Sequence, residues 1–163
     1  MEILEKLSER WSGIDYPFLI HTNGSLRFDE VANQQHVDLS EVKSGDVVAL
    51  IGDFNPQSIL TLLQLIDKNV ILVPLTVDTR SQHEYFFESA LVDVVIEGDD
   101  FKRLNHSRKH ELIDSLRSKD HAGLVLFSTG TTGRPKAILH DLTLFMQRFE
   151  TPRPTLKTIN FLL

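Results

Sequence analysis

Apolar residues along this chain follow two different periods. Ile3, Leu4, Leu7 and Trp11 recur at three- and four-residue spacing, which predicts a short amphipathic helix over residues 2–12. Residues 17–20 and 26–28 flank Asn23-Gly24, a dipeptide that favours a two-residue turn, and read as a β-hairpin. Residues 29–42 are polar and leave room for one helical turn. From Gly45 a regular alternation begins. Asp46 opens a continuous apolar run to Ile51, as expected of a strand buried on both faces. Residues 52–55 are a turn, and Pro56 suits a first helical position. Ile59, Leu60, Leu62, Leu63, Leu65 and Ile66 then give a wide apolar helix face through Asp67.

The alternation continues. Residues 70–75 read as a second strand broken by Pro74, and residues 81–90 as a helix with Tyr85, Phe86 and Ala90 inward. Residues 92–97 form a third strand, and 104–118 a weakly amphipathic helix carrying Leu112, Ile113 and Leu116. Residues 124–127 are a fourth strand, 138–149 a helix, and 158–163 a fifth strand candidate. This rhythm predicts an α/β fold: a mostly parallel, doubly wound sheet flanked by helices, preceded by a small N-terminal helix and β-hairpin. Residues 1–44 form the lead-in and 45–163 the α/β core. Ligands of such sheets bind beyond the carboxyl ends of the strands.

The segment after the fourth strand has the chemistry for that place. Ser128, Thr129, Gly130, Thr131, Thr132 and Gly133 form a loop of hydroxyls and glycines, closed by Pro135 and Lys136. Glycines let backbone N–H groups converge on one point, hydroxyls add donors, and the lysine adds positive charge. Such a loop suits a polyphosphate. It is not a Walker A sequence, which needs Gly, four residues and Gly-Lys-Ser/Thr. Counting from Gly130 puts Pro135 and Lys136 at the Gly-Lys positions, with Ala137 in place of the magnesium-holding hydroxyl.

Composition narrows the class. The 163 residues give one domain a sizeable core, and 41% hydrophobic with 25% charged residues is ordinary for a globular protein. A net charge of −6 argues against a nucleic-acid surface. The absence of cysteine excludes disulfides, thiolate metal sites and a cysteine nucleophile. No apolar stretch reaches membrane-spanning length, and the charged, amphipathic first residues are unlike a signal peptide. A cytoplasmic enzyme, or part of one, is expected.

Phe127-Ser128-Thr129-Gly130-Thr131-Thr132-Gly133-Arg134-Pro135-Lys136-Ala137-Ile138 resembles, nearly residue for residue, the phosphate loop of the adenylate-forming superfamily. That superfamily includes acyl-CoA ligases, peptide-synthetase adenylation domains and luciferases. Its pattern is Tyr/Phe-Thr/Ser-Ser/Thr-Gly-Ser/Thr-Thr-Gly-x-Pro-Lys-Gly-Val. Ala137 departs from the family glycine. Leu142 stands where many members carry a histidine, with His140 and Asp141 just before it and His140 read as a polar residue at a helix start. Gly45-Asp46-Val47-Val48-Ala49, Val73-Pro74-Leu75 and Asp93-Val94-Val95-Ile96 hold the places of looser family segments in the expected order. The stretch from Phe28 to Gly45 is shorter than in the family.

The resemblance implies an enzyme that activates a small-molecule carboxylic acid with ATP and Mg2+. An acyl-adenylate and pyrophosphate form, and the acyl group passes to coenzyme A or to the thiol of an acyl-carrier protein. It assigns Ser128, Thr129, Gly130, Thr131, Thr132, Gly133 and Lys136 to the nucleotide phosphates, aided by the N-terminal dipole of a following helix. The family's magnesium, ribose and adenine groups and its catalytic lysine follow later than Leu163. The expectation is therefore an N-terminal fragment of a longer ligase, inactive by itself. Two alternatives stay open: a short noncatalytic nucleotide-binding module retaining only the phosphate loop, and a kinase-like enzyme reusing it.

Other candidates give weaker patterns. His106 and His110 share a zinc-like spacing on one helix face but lack the protease glutamate, and read as a solvated polar helix. Lys102, Arg103, Arg108 and Lys109 are flanked by Asp99, Asp100 and Glu111, a mixed surface charge. Ser128 has no Gly-x-Ser-x-Gly setting for a hydrolase triad.

Overall fold

The computed structural model describes residues 3–34, 36–53, 55–105, 107–128 and 133–149. The expected strand at 158–163 lies outside them. Helix α1, Ile3–Trp11, sets Ile3, Leu4, Leu7 and Trp11 against Phe18, Phe28, Leu63 and Ile66. Its free N-terminal donors are satisfied from a distance, because the Asp67 carboxylate accepts from the Ile3 and Leu4 N–H groups. Strands β1, Leu19–His21, and β2, Gly24–Leu26, pair with His21 opposite Gly24. The turn is therefore Thr22-Asn23 and not the expected Asn23-Gly24. Gly24 takes φ +137°, so the glycine serves the first strand position after the turn, where a side chain would be strained. Helix α2, Phe28–Ala32, is the single helical turn foreseen in the polar stretch, and the Glu30 carboxylate accepts from the Arg27 N–H at 2.8 Å.

Strand β3, Val47–Ile51, is buried throughout. Helix α3, Pro56–Asp67, starts at Asn55, whose side chain accepts from the Ser58 N–H at 2.9 Å, with Pro56 in the first turn. Strand β4, Ile71–Leu75, leads through a 3-10 turn, Val77–Gln82, into α4, His83–Ala90. Phe86 and Ala90 point inward as expected, and Tyr85 is half-buried. Strand β5, Val94–Glu97, turns at Gly98-Asp99 into β6, Asp100–Arg103, which the sequence reading missed. The helix expected over 104–118 shrinks to α5, Glu111–Ser118, with His110 as its cap. The zinc-like histidine pair thus shares no helix face: His110 is extended, and His106 lies outside the described residues.

Strand β7, Gly123–Ser128, pairs antiparallel with β8, Lys136–Asp141, and α6, Leu142–Gln147, follows. The helix expected from residue 138 therefore begins later. Asp141 caps it by accepting from the Leu144 N–H at 3.0 Å, and residues 136–141 are strand. His140 accordingly sits in β8, opposite Leu124, and not at a helix start.

Among the described residues the main sheet has six strands in the order β6-β5-β3-β4-β7-β8. β3, β4, β5 and β7 are parallel, and the two edge strands run antiparallel. Alternate side chains serve opposite faces. Val47, Ala49, Ile71, Val73 and Val125 meet α4 and α5 through Phe86, Ala90, Ile113 and Leu116. Val48, Leu50, Leu72, Val94 and Ile96 meet Leu65 of α3 and Val37, Leu39 and Val42 on the other face. Among the described residues no helix is long and apolar enough to cross a membrane.

Pro74 does not break β4. The Ile71 N–H donates to Asp46 on the β3 side, whereas Val70 accepts from Gly123 on the β7 side. Residue facing alternates, so Pro74 turns its missing donor toward β7. The β4–β7 ladder stops at Leu72 with Leu124, while β7 stays paired with β8 out to Ser128 with Lys136. Beyond Leu124 the β7–β8 ribbon runs on without ladder pairing to β4.

Candidate functional site

The carboxyl ends of β3, β4, β5 and β7 lie on one edge of the sheet, at Ile51, Leu75, Glu97 and Ser128. The ribbon carries the Ser/Thr/Gly loop out from that edge. Of the expected phosphate-binding residues, Ser128 and Lys136 form the last pair of the ribbon and face each other across the two arms of the loop. Gly133 is exposed, and among the described residues nothing lies within 4 Å of where its Cβ would be. Thr129, Gly130, Thr131 and Thr132 lie outside the described residues.

Both arms of the loop are held by α4. On the incoming arm, Phe127 stacks on Phe86 with ring centroids 4.1 Å apart. On the outgoing arm, the Tyr85 hydroxyl donates to the Pro135 carbonyl at 2.7 Å, and the Arg134 guanidinium lies 5.3 Å over the Tyr85 ring. Sequence reasoning placed Tyr85 only as an inward residue of its helix. Its bond to Pro135 spans 50 positions and has no local signal.

Charge at this edge is unevenly committed. Arg80 forms a paired hydrogen bond with Glu97, which holds the Glu97 carboxyl below its usual range. Further away, Arg103 is paired with Asp46 and Arg117 with Asp93. Among the described residues neither Arg134 nor Lys136, both on the outgoing arm, has a carboxylate partner. The helix dipole expected behind the loop is absent there, because the element that follows is β8.

One of two concavities bears on the site. A half-open crevice of about 210 Å³ lies at the ends of β3 and β5, lined by Gly52, Asp53, Asn55, Ser58, Glu97 and Gly98. A larger cavity of about 450 Å³ between α1 and α2 is remote from the loop, and its Arg27 is already bound to Asp29. Among the described residues no group of three or more His, Asp or Glu is placed to hold a metal ion.

No protein-family model matches the chain, and no curated protein does. Solved structures do. The N-terminal subdomain of NpsA from Klebsiella oxytoca, in complex with 3-hydroxyanthranilyl-AMSN, superposes with a TM-score of 0.58 at 22% identity, over 85% of this chain and 40% of that one. NpsA-ThdA, an artificially fused adenylation-PCP di-domain of the same organism, gives 0.58 at 22% identity, over 85% and 31%. VinN in complex with L-aspartate gives 0.57 at 15% identity, over 87% and 47%. The chain thus spans less than half the length of each of these proteins. At these identities the likeness is one of architecture: the chain has the fold of the N-terminal subdomain of the adenylation protein NpsA.

Proposed function

We propose that this chain is the ATP-binding N-terminal part of the AMP-binding domain of an AMP-forming synthetase. The whole enzyme activates a carboxylic acid and then passes the acyl group to coenzyme A or a carrier thiol. One observation carries the reading: the loop sequence that resembles the adenylate-forming pattern joins β7 to β8 at the carboxyl edge of a sheet shared with an adenylation protein.

In the reaction a carboxylate oxygen attacks the α-phosphorus of ATP. The new C(O)O–P bond forms as the bond from the α-phosphorus to the bridging oxygen breaks, and pyrophosphate leaves with that electron pair. Groups that stabilise the departing charge lower the barrier. The Ser128, Thr129, Thr131 and Thr132 hydroxyls and the N–H groups of Gly130 and Gly133 hold the β- and γ-phosphates in this reading. Lys136 adds a mobile point charge at the outgoing arm. These groups bind and orient. The chain by itself grips pyrophosphate without turning over, and its magnesium accompanies the nucleotide.

Calorimetric titration of the chain with inorganic pyrophosphate tests the grip. A hydrogen bond to a charged group contributes about 1.5–3 kcal/mol, so Lys136→Ala is expected to raise Kd by roughly ten- to a hundredfold. On the full-length protein, the same change should weaken carboxylate-dependent pyrophosphate exchange more than thiol transfer, since only the first half-reaction handles pyrophosphate. Equal binding by parent and Lys136→Ala, or no binding by either, sinks the reading.

A further inference from the structure

Residues Tyr85 and Phe86 are consecutive on α4, yet they reach different arms of the loop. Phe86 is 4% exposed and packs on Phe127, which makes it part of the core. Tyr85 is half-buried, with its hydroxyl bonded to Pro135 and its ring under Arg134. Pro135 has no N–H, so its carbonyl is its one backbone group for hydrogen bonding. That carbonyl lies one residue past the last ribbon pair, Ser128 with Lys136, and Tyr85 supplies its donor. The Arg134 guanidinium at 5.3 Å over the same ring is within cation–π range. Two successive residues immediately before Lys136 are thus fixed by one side chain.

From this geometry we infer that Tyr85 is a positioning residue for phosphate binding: it sets where the outgoing arm, and with it Lys136, stands before a ligand arrives. The inference rests on the phosphate reading of the loop. An arm already ordered in the free protein loses less conformational freedom on binding, so the tether raises affinity without touching the ligand. A purely structural Tyr85 would contribute through its ring, which Tyr85→Phe keeps.

The test uses the 163-residue chain with Tyr85→Phe, read by amide hydrogen exchange at Gly133, Arg134 and Lys136, by pyrophosphate calorimetry and by thermal melting. Loss of one net hydrogen bond should raise the pyrophosphate Kd by about two- to tenfold and speed exchange at those amides. The melting temperature should stay within about 6 °C of the parent, the shift that loss of one net hydrogen bond gives in a chain of this size. Arg134→Gln, at an exposed position, removes the cation from the ring without altering α4 and should speed the same amides. Unchanged exchange in Tyr85→Phe overturns the inference, whether or not affinity falls. So does a melting temperature that drops well beyond that margin in step with affinity, since it marks a core role. If the parent binds no pyrophosphate, the phosphate reading fails, and exchange alone then decides whether Tyr85 tethers the arm.

Discussion

Gly123 begins β7, and its replacement by alanine gives the sharpest test of how the ribbon is rooted. The residue pairs with Ile71 of β4 and Asp141 of β8, and its N–H donates to Val70 at 3.0 Å. A Cβ there would lie 2.9 Å from Leu116 Cδ1 and 3.0 and 3.1 Å from Ile71 Cγ1 and Cγ2. Favourable carbon contacts are about 3.5–4.0 Å, so each neighbour must move by roughly 0.5–1 Å. Neither has room: Leu116 is 5% exposed and Ile71 is fully buried. Gly123 is absent from the positive-φ glycines, so the cost is steric rather than conformational. Overpacking of this kind costs about 1–3 kcal/mol, and the stiffer unfolded chain returns about 0.4–1 kcal/mol. The net loss expected for Gly123→Ala is about 1–2 kcal/mol. Urea unfolding should show a midpoint lowered by roughly 0.5–1 M with the slope unchanged. Leu116→Ala removes the nearest methyl, so the double variant should lose less than the sum of the two single changes. A Gly123→Ala protein as stable as the parent, or strictly additive losses, would refute the packing at this root.

Two smaller predictions concern caps. Asn55→Ala removes the acceptor for the Ser58 N–H and should cost about 1 kcal/mol in chemical denaturation, whereas Asn55→Asp should cost little. Asp141 both caps α6 and bonds His121 Nδ1 at 2.8 Å. Burial pushes its carboxyl up, but the Leu144 N–H and His121 together outweigh burial and hold it below the ordinary aspartate range. A depressed carboxyl stabilises the fold above its unfolded value and loses that contribution as pH falls through the folded value. Melting temperatures of parent and Asp141→Asn, followed from pH 7 to 2, should therefore differ at neutrality and converge below about pH 4. A difference that stays constant across that range would contradict the assignment.

Elements whose burial is written into their own residues were legible in the sequence. β3, α3 and β5 present uninterrupted or wide apolar faces, and their positions match the expectation closely. β6 was not legible, because an edge strand needs only one inward side chain, and Phe101 is the only large apolar residue in Asp100–Arg103. β8 was misread for a related reason. Ala137, Ile138 and Leu139 suit a helix equally well until β7 is known to lie beside them, and the capping role of Asp141 was the local sign that the helix starts later. In the candidate site, the loop chemistry was readable as a motif. Its support by Tyr85 was not, since the acceptor is a backbone carbonyl that no side-chain pattern announces.

Pro74 has a mechanical consequence for the loop. A strand paired along its whole length moves with its sheet. The β7–β8 ribbon is instead a cantilever, clamped at Gly123 and Leu124, where its ladder with β4 ends. It is propped part-way along by Phe86 and near its tip by Tyr85. Val125 of β7 and Leu139 of β8 pack on the core between clamp and tip, and the two props nearest the loop are neighbouring side chains of one helix. The loop is thereby coupled to α4, and through Phe86 and Ala90 to one face of the core.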